Sequence, residues 1–436
     1  MFIKRLIRLL CSLVAVCGAA IFVRAGSEWT LPLAPLKIGA TALSPLTVAV
    51  GLIAARLALA QRDLKAAFWA LWGGLCGLWY IRAVTRPHPG FEQAFGADWE
   101  AQVPAPLKER MLPTRYSPWW PALPANFQPD QVIGLHMETG GAILADLWKP
   151  HDPSQQTGAG IIYLHGSGWH YLKKDFYTRP FFRRLAGEGY VIADVSYAMA
   201  PKARLPEMLA DVYRAIAWMK SHAAELGVDP NHIVLMGGSA GAHLALLAAY
   251  AAEAPGLKPA DVHEDTSVCA VVSYYGPGDL RLAQEHLFSH YGRLGTRVNQ
   301  ADRALMALGG FIGRRIGFMP AESALSGAGT LIPAIFGGVP DEVPLLYSTA
   351  SPITHIGPNS PPTLLIHGAH DFAIDAAQSR ALYTSLRQAG VAAILHEIPY
   401  SDHVFDLFFS PIAPAFQTST YDVERFLSLV TASPVK

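Results

Sequence analysis

The sequence has few cysteines and no excess of charge of either sign. Both features limit the kinds of site and partner that the protein can have. Only four cysteines occur in 436 residues, and three of them lie in apolar N-terminal stretches, which leaves Cys269 alone in the rest of the chain. One thiol forms no disulfide within a domain, and no cysteine or histidine cluster has the spacing of a metal site. The 34 basic and 34 acidic residues cancel, which argues against a nucleic-acid partner. We therefore expect neither a bound metal nor nucleic-acid binding.

Charged residues are also scarce, and apolar residues are correspondingly abundant. They make up 16% and 51% of the chain, with a mean hydropathy of +0.23, which is high for a soluble enzyme and indicates that part of the chain contacts lipid. The apolar residues are concentrated in three runs at 9–23, 38–60 and 66–81. Residues 1–84 are therefore predicted to form a membrane region of about three apolar helices.

The orientation of this region follows from its basic residues. They precede the first run and also occupy the link at 61–65, and such residues stay on the cytoplasmic side of a membrane. Three crossings then predict a multi-pass membrane protein whose C-terminal part lies outside the cytoplasm. Two alternatives remain open: the first run also fits a cleaved signal peptide, and the three runs also fit a helical bundle in a soluble core.

The composition changes twice after the apolar region. Residues 85–130 are rich in proline and tryptophan without periodicity, which predicts an extended linker. Within residues 131–436, strand-like runs alternate with helical ones, and this order is typical of an α/β fold with a mostly parallel central sheet. A helical cap insertion is expected at about 275–360. The predicted strands are 143–148, 160–164, 190–195, 232–236, 270–274, 363–366 and 393–398.

A candidate nucleophile lies between the fourth predicted strand and a helical run at 243–251. The segment at 237–241 reads GGSAG, with Ser239 at its centre. Glycines on both sides permit the tight turn that exposes a serine hydroxyl at the end of a strand. Because a serine hydroxyl is a poor nucleophile, it requires a base and a group that orients the base.

Two later loops supply candidates for these partners. Asp371 follows the predicted strand at 363–366, and His403 follows the next strand. Both loops leave carboxyl ends of strands, and the order serine, acid, histidine is the one expected on such a sheet. Asp375 is the nearest rival acid, but we expect it inside the following helix. His367 and His370 precede the acid, which favours a role in positioning its loop.

A glycine-containing loop follows the second predicted strand and is a candidate for binding the negatively charged oxygen of a reaction intermediate. It reads HGSGW at 165–169. The backbone N–H groups of Ser167, Gly168 and Ala240 are the expected donors, with Gly166 making the turn. We expect Trp169 at the mouth of the substrate pocket. A loop without a chemical role is the alternative.

The segment from about 160 to 403 resembles the hormone-sensitive-lipase-like carboxylesterases of the α/β-hydrolase superfamily. The resemblance is carried by HGSGW at 165–169, VSYAMAP at 195–201, GGSAG at 237–241 and HGAHD at 367–371. It implies an eight-stranded sheet, a triad that works without a cofactor, and ester hydrolysis. The apolar N-terminal region is similar to that of membrane-anchored mycobacterial lipase/esterase proteins. Ser167 departs from the family, which usually has glycine there, and no glycine follows His403.

The leading hypothesis is therefore a membrane-anchored serine hydrolase that cleaves small-molecule or lipid esters through an acyl-enzyme intermediate. An acyltransferase or an amide or peptide hydrolase shares the same triad chemistry, and a non-catalytic membrane binding protein is the third alternative. The insertion carries apolar and basic residues between Phe311 and Met319, which fit either a lid that touches the membrane or a packed cap.

Overall fold

The computed structural model describes residues 2–25, 30, 33–137, 140–252, 254, 256–291 and 331–432. A sheet of eight strands lies at its centre, in the order β1-β2-β4-β3-β5-β6-β7-β8. β2 pairs antiparallel with β1 and β4, and the remaining pairs are parallel. The strands are β1 Ala125–Leu135, β2 Ala142–Pro150, β3 Gly160–Leu164, β4 Val191–Ser196, β5 Ile233–Gly238, β6 Ala270–Tyr274, β7 Thr363–Gly368 and β8 Ala393–Ile398.

The central parallel strands β3, β5, β6 and β7 are buried along their whole length because helices cover both faces of the sheet. Apolar side chains of α9 (Leu205–Ser221) and α11 (Ala240–Tyr250) pack on one face, and those of α8 (Arg179–Glu188) and α16 (Pro414–Val430) pack on the other. The helices of this part of the chain are α8 Arg179–Glu188, α9 Leu205–Ser221, α10 Ala223–Leu226, α11 Ala240–Tyr250, α12 Leu280–Tyr291, α13 Leu331–Phe336, α14 Pro344–Thr349, α15 Ala377–Gln388 and α16 Pro414–Val430. The predicted α/β class with a mostly parallel sheet is confirmed.

The seven predicted strands agree with β2 to β8, but the first strand was not predicted. β1 begins at Ala125, inside the segment assigned to an extended linker. Pro129 interrupts its pattern, and the register shifts between Gln128 and Gln131, so a bulge accommodates the proline at this edge strand. The same segment also contains three short helices, α5 Gly90–Phe95, α6 Trp99–Gln102 and α7 Ala105–Lys108.

The N-terminal region is helical, as the apolar runs predict. It contains α1 Phe2–Ala20, α2 Ala34–Ala42, α3 Ser44–Ala60 and α4 Leu64–Val84. α1 and α4 approach closely at two glycines, since a Cβ atom on Gly73 would lie 2.3 Å from the carbonyl oxygen of Val14 and one on Gly18 would lie 2.6 Å from the Cα atom of Gly73. Among the helices described, none is by itself both long and apolar enough to cross a membrane, whereas α2 and α3 together meet that requirement with a bend of 77° between them.

The predicted cap insertion is helical where the structure describes it. α12, α13 and α14 belong to it, and Leu280, Ile332 and Tyr347 join the core on the α9 side of the sheet. The residues between Phe311 and Met319, which suggested a lid, lie outside the described residues.

A buried arginine joins several elements on the opposite face of the sheet. Arg184 on α8 is 1% exposed and forms ion pairs with Glu424 on α16 and with Glu188. It also donates to the carbonyl oxygen of Arg110, 2.9 Å away, beyond the end of α7. The preceding Arg183 is exposed.

We expect Arg184→Met to lower the free energy of unfolding by about 3–5 kcal/mol, because it removes the cation that pairs with the buried Glu188 carboxylate and one of the two that pair with Glu424. Arg183→Met is the matched control and should change stability by less than about 0.5 kcal/mol. Thermal unfolding of the full chain, followed by near-ultraviolet circular dichroism, measures both. Equal midpoints for the two variants would show that the Arg184 network contributes little.

Candidate active site

Ser239 lies at the turn from β5 into α11 and adopts φ 52° and ψ −120°. Residues other than glycine rarely adopt this conformation, and the packing of the neighbouring residues must hold Ser239 in it. A Cβ atom on Gly237 would lie 2.6 Å from the carbonyl carbon of Gly241, and one on Gly241 would lie 2.0 Å from the carbonyl oxygen of Leu164. The two glycines are therefore necessary, and they leave the Ser239 side chain partly exposed at the carboxyl edge of the sheet.

The three residues predicted to cooperate are brought together at this edge. His403 Nε2 lies 3.1 Å from Ser239 Oγ, and His403 Nδ1 lies 2.7 Å from Asp371 Oδ2. Because an ionised carboxylate accepts only, Nδ1 carries the proton, which leaves Nε2 to accept one from the serine hydroxyl. This is the arrangement that activates a serine for nucleophilic attack.

The Asp371 carboxylate is held by its own loop as well as by His403. Its Oδ1 accepts hydrogen bonds from the backbone N–H groups of Ala373 and Ile374, at 2.8 and 2.9 Å. Its Oδ2 lies 3.3 Å from His367 Nε2. Burial would raise the pKa of Asp371, but the charge of His403 and the hydrogen bonds from His367 and His403 outweigh burial and hold this pKa below its ordinary value. Asp371 is therefore ionised and can stabilise the protonated form of His403.

The pKa of His403 moves in the opposite direction. Burial disfavours its charged form, but the charge of Asp371 and the hydrogen bond to it outweigh burial and raise the pKa. Asp402 and Asp406 add smaller effects of the same sign. An imidazolium formed during the reaction is thus stabilised.

The rival acid, Asp375, does not join this arrangement. It lies just before α15 rather than inside the helix, and its carboxylate accepts from the N–H of Ala377, the first residue of that helix, at 2.9 Å. His367 has the positioning role expected of it, since its Nδ1 lies 2.7 Å from Ser379 Oγ on α15 while Nε2 faces Asp371.

The loop at 165–169 faces the serine. A Cβ atom on Gly166 would lie 3.5 Å from Ser239 Cβ, so backbone and nucleophile are in contact there. Gly168 has φ 55°, a conformation that glycine adopts without strain. Within the part of the chain that the structure describes, the N–H groups of Ser167, Gly168 and Ala240 donate to no other protein atom. They remain available for a negatively charged oxygen.

Ser167, the departure from the family pattern, fastens the loop. Its hydroxyl lies 2.6 Å from the Tyr197 hydroxyl and accepts from the N–H of Trp169 at 2.9 Å. Tyr197 in turn donates to the carbonyl oxygen of His165, at 2.9 Å. Tyr197 was not among the predicted site residues, although it lies in the VSYAMAP segment that carried the resemblance.

Trp169 differs from its predicted place at a pocket mouth. It is 3% exposed, packs in the core on the α9 side of the sheet, and directs its indole N–H toward His243 Nδ1 at 3.4 Å. His243 lies on α11, one turn after Ser239. Trp169 therefore anchors the loop at 165–169 in the core and holds it against α11, the helix that begins directly after Ser239.

Two further residues near His403 were not identified from the sequence. Tyr275 follows β6, and its ring centroid lies 4.5 Å from that of His403. Its hydroxyl donates to Asp406 Oδ1 at 2.5 Å, and burial raises the pKa of Asp406 to about 6. Neither residue belongs to a recognisable motif. The contacts of Tyr275 with His403 and Asp406 depend on the fold of the loop after His403, which no local pattern indicates.

A protein-family model and proteins named as esterases are similar to this chain in sequence. A family model described as BD-FAE matches residues 145–310 and 319–386, a region that contains Ser239 and Asp371 and ends before His403. Esterase LipQ of Mycobacterium tuberculosis is 30% identical over 334 residues, which cover 75% of this chain and 70% of LipQ.

Probable carboxylic ester hydrolase LipM of the same organism is 30% identical over 298 residues, covering 68% of this chain and 60% of LipM. Among solved structures, the apo form of Thermogutta terrifontis esterase 2 is similar with a TM-score of 0.48 and 22% identity, covering 71% of this chain and 94% of that one.

The raised pKa of His403 predicts the pH dependence of the reaction of Ser239 with a fluorophosphonate. The reaction requires neutral His403, so its rate should fall as the pH drops through a midpoint above the ordinary histidine value of about 6.5. Asp371→Asn should slow the reaction severely. Asp375→Asn is the matched control and should leave rate and midpoint unchanged, since this carboxylate bonds to the N–H of Ala377 at the start of α15 and not to His403. A wild-type midpoint below about 6.5 would contradict the assignment of His403.

Proposed function

Because this chain belongs to the BD-FAE family and is a carboxylesterase-type hydrolase of the α/β-hydrolase superfamily, we propose that it cleaves carboxylic esters at Ser239 through an acyl-enzyme intermediate. The observation that carries the proposal is the continuous set of contacts from Ser239 through His403 to Asp371, beside a loop with unpaired N–H groups. The sequence alone already placed these residues in the required order.

The geometry supports the following steps. Ser239 Oγ attacks the ester carbonyl carbon while its proton passes to His403 Nε2, and the carbonyl oxygen becomes negatively charged within reach of the N–H groups of Ser167, Gly168 and Ala240. The carbon–oxygen bond to the alcohol then breaks, and His403 returns the proton to the leaving alcohol. Water, deprotonated by His403, attacks the acyl-enzyme and releases the acid, which restores Ser239.

Acyl transfer and amide hydrolysis use the same steps and differ only in the acceptor and the leaving group. The similarity to Esterase LipQ and to the probable carboxylic ester hydrolase LipM supports ester hydrolysis over the other two reactions. Product analysis with a panel of esters and amides distinguishes the three reactions.

The proposal extends to a membrane anchor formed by α1, α3 and α4. These helices bear most of the exposed large apolar side chains in the described part of the chain, including Leu52, Leu75 and Trp79 at 60, 62 and 54% exposure. A surface of this extent is rare on soluble proteins and is suited to lipid.

The charges on these helices support an orientation. Arg8 on α1 pairs with Asp63 at the link between α3 and α4, so both lie at the end of the helices that is remote from the hydrolase. Tyr80, near the other end of α4, contacts Ser401 of the hydrolase. With the basic end in the cytoplasm, the catalytic part lies outside it.

We expect Ser239→Ala to reduce kcat for ester hydrolysis by roughly 1,000-fold or more and to abolish fluorophosphonate labelling, because the nucleophile is lost with little change in volume. Ser221→Ala removes an exposed hydroxyl at the end of α9 and serves as the control. Ester turnover by Ser239→Ala within tenfold of wild type would refute the nucleophile assignment.

The orientation is tested with reporter enzymes fused after Lys436. A reporter that is active only outside the cytoplasm should be active, since three crossings export the C-terminal part. Activity of a cytoplasm-only reporter at the same position would instead contradict the three-crossing arrangement.

A further inference from the structure

Asp402 joins the two loops that carry the acid and the base. Its Oδ1 accepts from the N–H of His403 at 3.1 Å and from the N–H of Phe372, in the Asp371 loop, at 3.0 Å. The carboxylate is only 1% exposed. A single buried oxygen therefore sets the distance between the backbone of the histidine loop and that of the acid loop.

The other oxygen of Asp402 depends on the N-terminal region. Lys37 Nζ, on α2, lies 3.0 Å from Asp402 Oδ2, and the Lys37 side chain is fully buried. Oδ2 accepts no hydrogen bond elsewhere among the described residues, and no second cation there pairs with Asp402. Lys37 Nζ also lies 3.0 Å from Nδ1 of His370, the residue before Asp371.

Further contacts join the histidine loop to the N-terminal region. Three consecutive residues lead up to His403, and each contacts a different part of the N-terminal region. Tyr400 meets Phe22, just after α1, with ring centroids 5.1 Å apart; Ser401 Oγ lies 2.9 Å from the hydroxyl of Tyr80 on α4; and Asp402 meets Lys37. Each of the three residues that precede the base is therefore in contact with the N-terminal region.

We propose that Lys37 is a positioning residue of the active site, which acts on His403 and Asp371 by neutralising and holding Asp402. The proposal rests on the hydrolase function described above. It makes the N-terminal helices a working part of the enzyme in addition to an anchor, because one buried lysine of α2 keeps the acid and base loops in register.

The physical consequence of removing Lys37 follows from burial. A carboxylate that loses its cation in a low-dielectric interior either takes up a proton or turns toward water. Both changes weaken the bonds from Asp402 to the N–H groups of Phe372 and His403. Displacement of a catalytic group by about 1 Å is enough to lower a rate on the order of 100-fold.

The test uses the full-length protein in liposomes with a water-soluble short-chain p-nitrophenyl ester. We expect Lys37→Met to lower kcat by about 10- to 100-fold while KM changes by less than about threefold, because the variant disturbs reacting groups and not substrate binding. Lys108→Met, at an exposed lysine on α7, is the control and should leave both constants unchanged. Lys37→Arg should retain more of kcat than Lys37→Met, since it restores the charge.

The double variant Lys37→Met with Asp402→Asn distinguishes positioning from general stability. Asparagine keeps an oxygen for the two N–H donors and removes the buried charge, so the pair should recover kcat relative to Lys37→Met, and Asp402→Asn alone should be impaired because it leaves Lys37 unpaired. If Lys37→Met does not fold, the Asp402→Asn measurement decides. Wild-type kcat in either single variant, or additive losses in the double, would overturn the proposal.

The outcome is separable from the proposed function itself. An inactive Ser239→Ala together with a fully active Lys37→Met refutes the positioning role alone. Ester hydrolysis that survives Ser239→Ala refutes the function on which it rests.

Discussion

Gly241 lies so close to β3 that a Cβ atom there would stand 2.0 Å from the carbonyl oxygen of Leu164. α11 therefore begins directly against the strand that continues into the loop at 165–169. Because of this contact, the nucleophile and the unpaired N–H groups face one space. The loops after β7 and β8, farther along the same edge of the sheet, place the acid and the base there. A side chain at Gly241 would push α11 away from β3 and so separate the nucleophile from the loop at 165–169.

The second constraint is electrostatic. His403 lies near three buried carboxylates, and each of them has a different role set by its partners. Asp371 is held ionised by hydrogen bonds and by His403, Asp402 joins two loops and meets Lys37, and Asp406 accepts from Tyr275 and has a pKa raised to about 6. Only the first of them contacts the imidazole directly, which keeps the base in one orientation while the others fix the surrounding backbone.

The relation between the N-terminal helices and the hydrolase differs from the one that composition suggests. A proline-rich segment between an apolar region and an enzyme predicts a tether, but short helices and the edge strand β1 occupy that segment instead. Ala40, Tyr80 and Val84 of the N-terminal helices share one apolar core with β-strands of the hydrolase. The two parts are packed together, and their contacts include the loop that presents His403.

The sequence by itself determined the features that depend on local pattern: the buried strands, the turn at Ser239, and the order in which Asp371 and His403 follow it. These can be read from sequence because burial imposes apolar runs and a tight turn imposes glycine at fixed offsets. Tertiary structure alone decided the places of β1, Trp169 and Tyr275, and above all the contact of Lys37 with the catalytic loops. Lys37 and His370 are 333 positions apart, and no local pattern records a contact between residues so distant, because only the packing of α2 against the folded sheet brings them together.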